Sequence, residues 1–255
     1  MSKIRVLASG STNQERSNRS YIVDKLLKTP IEKSELVFNL GLYITRQNLS
    51  RILFMHELYS KIINVHGVIM EFGVRWGQNM ALFENFRGIY EPYNYNRKII
   101  GFDTFSGFLG SESKGGVVTK DSSIVLKGDY SVTENYNKYL EDILVHHESE
   151  SPVVQKRKFQ LVKGDATENL KKYLSDNPET IISLAYFDFD LYKPTKVCLE
   201  LIKDRLTKGS ILVFDELNCP ELPGETLALK EVFGLSRYAL RRSPLNPLVS
   251  YLVID

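Results

Sequence analysis

Two short segments of this 255-residue chain end apolar runs in carboxylates: Tyr186-Phe-Asp188-Phe-Asp190-Leu-Tyr192 and Phe214-Asp215-Glu216-Leu217. Three carboxylates cannot crowd together ionised unless a cation joins them or their pKa values rise steeply. An all-oxygen donor set suits a hard ion such as magnesium. Asp188, Asp215 and Glu216 are therefore candidate metal ligands, provided the fold brings them together.

Residues 181–187 and 210–214 have the length and apolar content of buried strands, and 194–206 between them reads as a helix. Strand–helix–strand implies two parallel strands. If these are neighbours, their ends lie about 4.8 Å apart. The acids then converge at the carboxyl edge of the sheet, where open α/β sheets bind ligands. Upstream, 67–72, 98–102 and 159–162 read as strands and 79–86 as a helix. Downstream come a helix over 226–233 and a strand pair, 237–241 and 248–254, joined by a turn containing Pro244 and Pro247. This alternation predicts an α/β fold with a Rossmann-like, doubly wound, mostly parallel sheet and a C-terminal antiparallel hairpin. The expectation is one domain over 1–255, with an N-terminal helical cap over 1–64 and an insert over 107–157. So long a connection at this edge, with a Gly/Ser/Lys-rich stretch over 108–120 and a helix-like piece over 135–147, reads as a lid, around 110–120 above all, or as a surface insertion. Within the cap, 9–18 reads as a polar loop. The second helix there turns Leu49, Ile52, Leu53, His56, Tyr59, Ile62 and Ile63 inward, with His56 in a packing role.

Three more strand ends carry usable groups. The first runs into Glu71-Phe-Gly73-Val-Arg75-Trp76-Gly77-Gln78-Asn79 and then a helix. Glycines there let the backbone approach a ligand, and the helix N-terminus offers free amides. The loop lacks the second glycine of a G-x-G-x-x-G dinucleotide turn, and Glu71 suits an amine-bearing cationic ligand better than a pyrophosphate. The second strand ends at Asp103, a place where an acid holds ribose hydroxyls. The third leads into Lys163-Gly164-Asp165-Ala166-Thr167, where Asp165 accepts from an adenine amino group or caps the next helix.

These ordered acids resemble those of S-adenosylmethionine-dependent methyltransferases of the Rossmann-like class. More narrowly, the span from about residue 41 to the C-terminus resembles the macrocin O-methyltransferase family, whose members methylate sugar hydroxyls of natural products. That family carries an E-x-G-V-W-R-G-G loop, a G-F-D-S-F-x-G strand end, a D-x-D-x-Y segment and a paired acid after strand five. The counterparts here run from Glu71 to Gln78, Gly101 to Gly107, Asp188 to Tyr192, and Asp215-Glu216. Arg75-Trp76 reverses the family's order, Gln78 replaces its second glycine, and Glu216 stands for its second aspartate. Catechol O-methyltransferases are a more distant likeness, and Leu191 stands where they carry a catalytic lysine.

The resemblance implies S-adenosylmethionine as cofactor, contacted by Glu71, Gly73, Gly77, Asp103, Ser106, Asp165 and Ala166. Glu71 is expected on the methionine portion and Asp103 on the ribose. It also implies Mg2+, or another divalent cation, at Asp188, Asp215 and Glu216, lowering the pKa of an acceptor hydroxyl. Asp188 and Asp190 are the catalytic candidates. Asp190 is the candidate general base, as the nearby carboxylate not needed for the metal. Its competing reading is an acid favoured by the dipole of the helix that follows. Tyr192 packs or orients substrate.

Composition bounds the partners. A formal charge of +2 offers no concentrated basic face for nucleic acid, and Lys156-Arg157-Lys158 reads as a solvated loop. Cys198 and Cys219 cannot build a disulfide framework, and no apolar stretch has transmembrane length. The expectation is a cytoplasmic enzyme with a small-molecule hydroxyl acceptor, a sugar by the resemblance, and no nucleic-acid or membrane partner; a homo-oligomer stays open. Alternatives are a phenolic acceptor, a noncatalytic cofactor-binding protein, or an NAD-dependent sugar oxidoreductase. The last would have to use Tyr21 and Lys25, which precede the first strand.

Overall fold

The computed structural model describes residues 12–110, 112–113, 124–125 and 127–255. In chain order the strands are β1 (Val68–Phe72), β2 (Ile99–Asp103), β3 (Glu112–Ser113), β4 (Ile124–Val125), β5 (Phe159–Lys163), β6 (Ile182–Phe187), β7 (Leu206–Phe214), β8 (Arg241–Ser243) and β9 (Asn246–Val253). Seven form one sheet in the order β5-β2-β1-β6-β7-β9-β8, while β3 and β4 pair as a separate antiparallel ribbon. β5, β2, β1, β6 and β7 are parallel; β9 and β8 are antiparallel. This is the predicted Rossmann-like sheet with its C-terminal hairpin. Strand order reverses at β1, so the ligand crevice opens between β1 and β6.

The helices are α1 (Asn13–Leu27), α2 (Lys33–Leu36), α3 (Arg46–Ile62), α4 (Gln78–Tyr90), α5 (Tyr136–Ser149), α6 (Ala166–Asp176), α7 (Tyr192–Ile202) and α8 (Gly224–Val232). Strand side chains alternate between faces. Ile69, Tyr186 and Val213 pack with α3, α4 and α5, whereas Met70, Phe187 and Phe214 pack with α6, α7 and α8. Four phenylalanines cross the sheet in register beneath the crevice. Phe102, Phe72, Phe187 and Phe214 stack in sequence at centroid distances of 5.2, 4.7 and 5.3 Å. Such pairs add about 0.5–1.5 kcal/mol each beyond area burial. The ladder continues one residue further, Asp188 N–H donating to Phe72 O (2.8 Å) and Asp215 N–H to Phe187 O (3.0 Å). Asp188 and Asp215 are thereby held side by side.

The structure departs from the sequence expectations in five places. Residues 13–18 are helical, because Thr12 and Glu15 form a capping box at the start of α1. On α3 the buried face is Phe54, Met55, Leu58, Tyr59 and Ile62, and Leu49 and Leu53 are 47% and 44% exposed. The helix is apolar on several sides, so periodicity alone could not choose its inner face. His56 is half-buried, edge-on to Phe86 with Nε2 at 2.5 Å from the Tyr90 hydroxyl, as a packing histidine. The 107–157 segment divides in two: α5 buries Leu140 and Leu144 in the core, as a crossover helix on the sheet. What remains is closed at its base by Phe108 N–H to Asp129 O (3.1 Å) and Gly128 N–H to Phe108 O (2.9 Å). Most of the expected lid, 111 and 114–120, lies outside the described residues. Lys158 is not solvated: it is buried, pairs with Glu148 and donates to the carbonyls of Pro152, Val153 and Lys156. Lastly, the hairpin strand begins at Arg241 and its turn is 243–246, so Pro247 lies in β9 beside a register shift.

Candidate active site

A cavity of about 550 Å³ opens at the carboxyl edge, within the size range of small-molecule sites. Its wall draws on the loops after β1, β2, β5, β6 and β7 and on α3. Among the described residues it is lined by eight acids (Glu71, Asp103, Asp129, Asp165, Asp188, Asp190, Asp215 and Glu216) and three cations (Arg51, Arg75 and Lys193). A concave surface so charged favours a cationic ligand.

Of the residues expected at a cofactor, Glu71, Gly73, Gly77, Asp103, Asp165 and Ala166 line the cavity. Ser106 does not; its side is exposed, and its N–H donates to Thr104 Oγ1 (3.1 Å). Glu71 is 1% exposed, accepts from Asn79 Nδ2 (2.9 Å) at Oε1, and has no partner at Oε2. Burial pushes its carboxyl up to about 8, against the opposing pull of Asn79 and Arg51. An ammonium at Oε2 would satisfy that orphaned atom. Gly73 has φ +95°, and a Cβ there would fall 2.1 Å from Asp188 O. No side chain fits between these two strand ends, which keeps the loop against the crevice. Gly77, also left-handed, is the N-cap of α4, without a side-chain capping bond.

Asp103 accepts from Arg75 N–H (2.7 Å) at Oδ2 and Phe105 N–H (2.5 Å) at Oδ1, so it fastens two loops while facing the cavity. Burial raises its pKa against these hydrogen bonds. Asp165 takes the capping role: its Oδ1 accepts from Thr167 N–H (2.8 Å) and Oγ1 (2.7 Å) at the start of α6. Its neighbour Ala166 is buried.

The second group of acids meets at the other end. Asp188, Asp190, Asp215 and Glu216 all line the cavity. Burial, then repulsion from Asp215, Asp190 and Glu225, holds Asp188 well above the usual carboxylate range, with Arg51 opposing. Asp190, 7% exposed and at φ +61°, is pushed up to about 7 by burial and by Glu216 and Asp215. Non-glycine residues at positive φ store strain and tend to gather at functional sites. Arg75 (φ 48°) and Tyr130 (φ 61°) line the same cavity. Glu216 is likewise raised, by burial first. Donor type and crowded negative charge fit a hard divalent cation. Among the described residues no three His, Cys, Asp or Glu side chains are placed to hold a metal ion, so donor type and charge are what fit it.

Some contributors carried no sequence signal. Arg51 reaches the cavity from α3, outside the strand ends where ligand groups are sought. Buried Glu225 accepts from Phe189 N–H (3.1 Å) and Glu216 N–H (3.2 Å), tying the β6 and β7 loops together. The Tyr186 hydroxyl donates to Asp215 Oδ1 (2.5 Å). Only Asn79, helical and just after the glycine loop, was placed by its motif. Tyr192 packs against the core beside α8: its hydroxyl donates to Glu231, and it does not line the cavity. Neither Tyr21 nor Lys25 lines it either.

No family model matches the chain, and no curated protein does. Solved structures do. A crystal structure of CalS11, calicheamicin methyltransferase, is 41% identical over 96% of this chain and 94% of that one, with a TM-score of 0.89. An apo structure of CalS11, described as a TDP-rhamnose 3'-O-methyltransferase of calicheamicin biosynthesis, is 39% identical over 96% of both chains, with a TM-score of 0.84. The chain belongs to the macrocin O-methyltransferase-like family. Members of this family are S-adenosylmethionine-dependent O-methyltransferases, so the oxidoreductase and noncatalytic readings fall away. The O-methyltransferase NovP, 14% identical over 94% of this chain with a TM-score of 0.57, shares the fold. Among the described residues of this family member, no helix is long and apolar enough to cross a membrane.

Proposed function

We propose that this enzyme methylates a hydroxyl of a sugar, assisted by a divalent cation held by Asp188, Asp215 and Glu216, in a cytoplasmic setting that suits its two free cysteines. The reading is carried by the meeting of two sets of groups in one anionic cavity. Glu71 and Asp103 suit a cofactor, and the acids after β6 and β7 suit a cation and an acceptor. Identity to CalS11 supports the acceptor class, and makes a nucleotide-activated deoxysugar the first acceptor to test.

S-adenosylmethionine supplies the methyl group on a sulfonium. Ionised Glu71 binds its ammonium, and Asp103 offers its remaining lone pairs to the ribose hydroxyls. Asp188, Asp215 and Glu216 would hold the cation, which would lower the pKa of an acceptor hydroxyl and offset the repulsion among them. A carboxylate oxygen of Asp190 accepts the hydroxyl proton as general base. Tyr186 fixes Asp215, and Glu225 fixes the loops that carry Phe189 and Glu216. Much of the remaining rate comes from holding acceptor and methyl in line.

Asp215→Ala should abolish most turnover while S-adenosylhomocysteine still binds, and chelation of the wild type should mimic the variant. Full activity in excess chelator would remove the metal and leave Asp188 or Asp190 as a simple general base.

A further inference from the structure

Among the described residues the cavity wall holds three buried polar atoms that lack partners: Nε of Arg75, and a pair of opposite type, Oε2 of Glu71 and Nε of Arg51. Asn79 stands between them. Its Nδ2 donates to Glu71 Oε1 (2.9 Å), and its Oδ1 accepts from Arg51 Nη2 (3.3 Å). One amide thus spaces a carboxylate and a guanidinium in a fixed relation. Leaving buried groups unsatisfied is expensive, more so when they are charged. A single ligand chemistry satisfies both atoms together: an α-amino acid zwitterion, its ammonium on Glu71 and its carboxylate on Arg51.

We propose that Arg51 binds the α-carboxylate of the methionine end of S-adenosylmethionine, completing a zwitterion clamp with Glu71 and Asn79. The inference rests on the cofactor reading of Glu71 and adds the group that reading leaves open. A carboxylate entering a cavity lined by eight acids needs a cation, and Arg51 is the one acting on Glu71. Arg75 Nε also lacks a partner, but its guanidinium lies over the Tyr130 ring (5.0 Å) and acts on Asp103 and Asp190. Arg51 also faces Asp188 and Asp215. The helix that carries it, α3, precedes β1, so the N-terminal region contributes directly to the cofactor site.

The test is calorimetric binding to the full chain of S-adenosylhomocysteine and of its decarboxylated analogue. The wild type should prefer the carboxylated ligand by roughly 10- to 100-fold, as expected for one charge-assisted hydrogen-bonded pair. Arg51→Met should bind both ligands equally, near the wild-type affinity for the decarboxylated one. Arg51→Lys should recover part of the preference. Comparing two ligands within each variant cancels any general loosening of the site. Undiminished preference in Arg51→Met would overturn the assignment while leaving the cofactor reading intact. A wild type that binds neither ligand would overturn both.

Discussion

Replacing Glu71 by glutamine should stabilise the cofactor-free protein and weaken cofactor binding at the same time. Glu71 is nearly inaccessible, with one oxygen bonded to Asn79 and the other orphaned. Its carboxyl rises from an ordinary 4.5 to about 8 in the fold. An acid raised on folding favours the folded state in its protonated form. The wild type's stability relative to the glutamine variant is therefore whole below pH 4.5, falls as pH climbs to about 8, and levels off beyond. At pH 7 the accumulated loss is about 3 kcal/mol, and at pH 5 it is below about 1 kcal/mol. Glutamine keeps the acceptor for Asn79 and never ionises. Glu71→Gln should thus melt roughly 6–12 °C higher than wild type at pH 7, with the gain nearly gone at pH 5. The same variant should bind S-adenosylhomocysteine at least about tenfold more weakly, having lost the charge that meets an ammonium. Scanning calorimetry across pH, with binding measured alongside, decides the matter. A variant no more stable than wild type at pH 7, or equally stabilised at pH 5 and pH 8, would refute the reasoning.

Three further outcomes follow from the same structure. Asp103→Ala should weaken S-adenosylhomocysteine by about 1–3 kcal/mol in titration calorimetry, whereas tight binding of NAD would contradict the ribose role in this cofactor. Turnover should rise with pH as Asp190 ionises, because it must be ionised to accept a proton; that limb should vanish from the pH profile of the residual activity in Asp190→Asn. Away from the cavity, buried Arg97 clamps Glu91 (2.9 Å) and the carbonyls of Gly67 (2.6 Å) and Ile62 (2.9 Å). Arg97→Met should cost about 3–5 kcal/mol in urea unfolding, with cofactor affinity unchanged in the protein that remains folded.

The strands were legible because buried parallel strands are short apolar runs, and the mostly parallel, doubly wound sheet followed from strand–helix alternation. The acids were legible for a related reason: at the end of such a run a carboxylate has few purely structural roles. Asp188 and Asp215 are neighbours because Phe187 and Phe214 are in register; the two runs implied parallel strands, and the structure makes them adjacent. What stayed hidden depends on contacts between segments far apart in the chain. Glu225 looks like an ordinary acid in the first turn of a helix until the β6 and β7 loops donate to it. Arg51 is one of several charges on α3, and only the packing of that helix turns it inward. Asp165 was open to two readings, and the hydrogen bonds of its own turn realise the capping one. The inner face of α3 was misjudged because apolar residues surround the helix, leaving the tertiary partner to decide.

The central claim is transfer of a methyl group to a sugar hydroxyl with the help of a divalent cation. The most direct measurement uses S-adenosylmethionine carrying a trideuterated methyl, a panel of nucleotide-activated deoxysugars and phenolic acceptors, and mass spectrometry to locate the label. The account predicts label on a sugar hydroxyl oxygen, suppressed by chelator and restored by added magnesium. Label on phenolic acceptors alone, or undiminished sugar labelling in excess chelator, would contradict it.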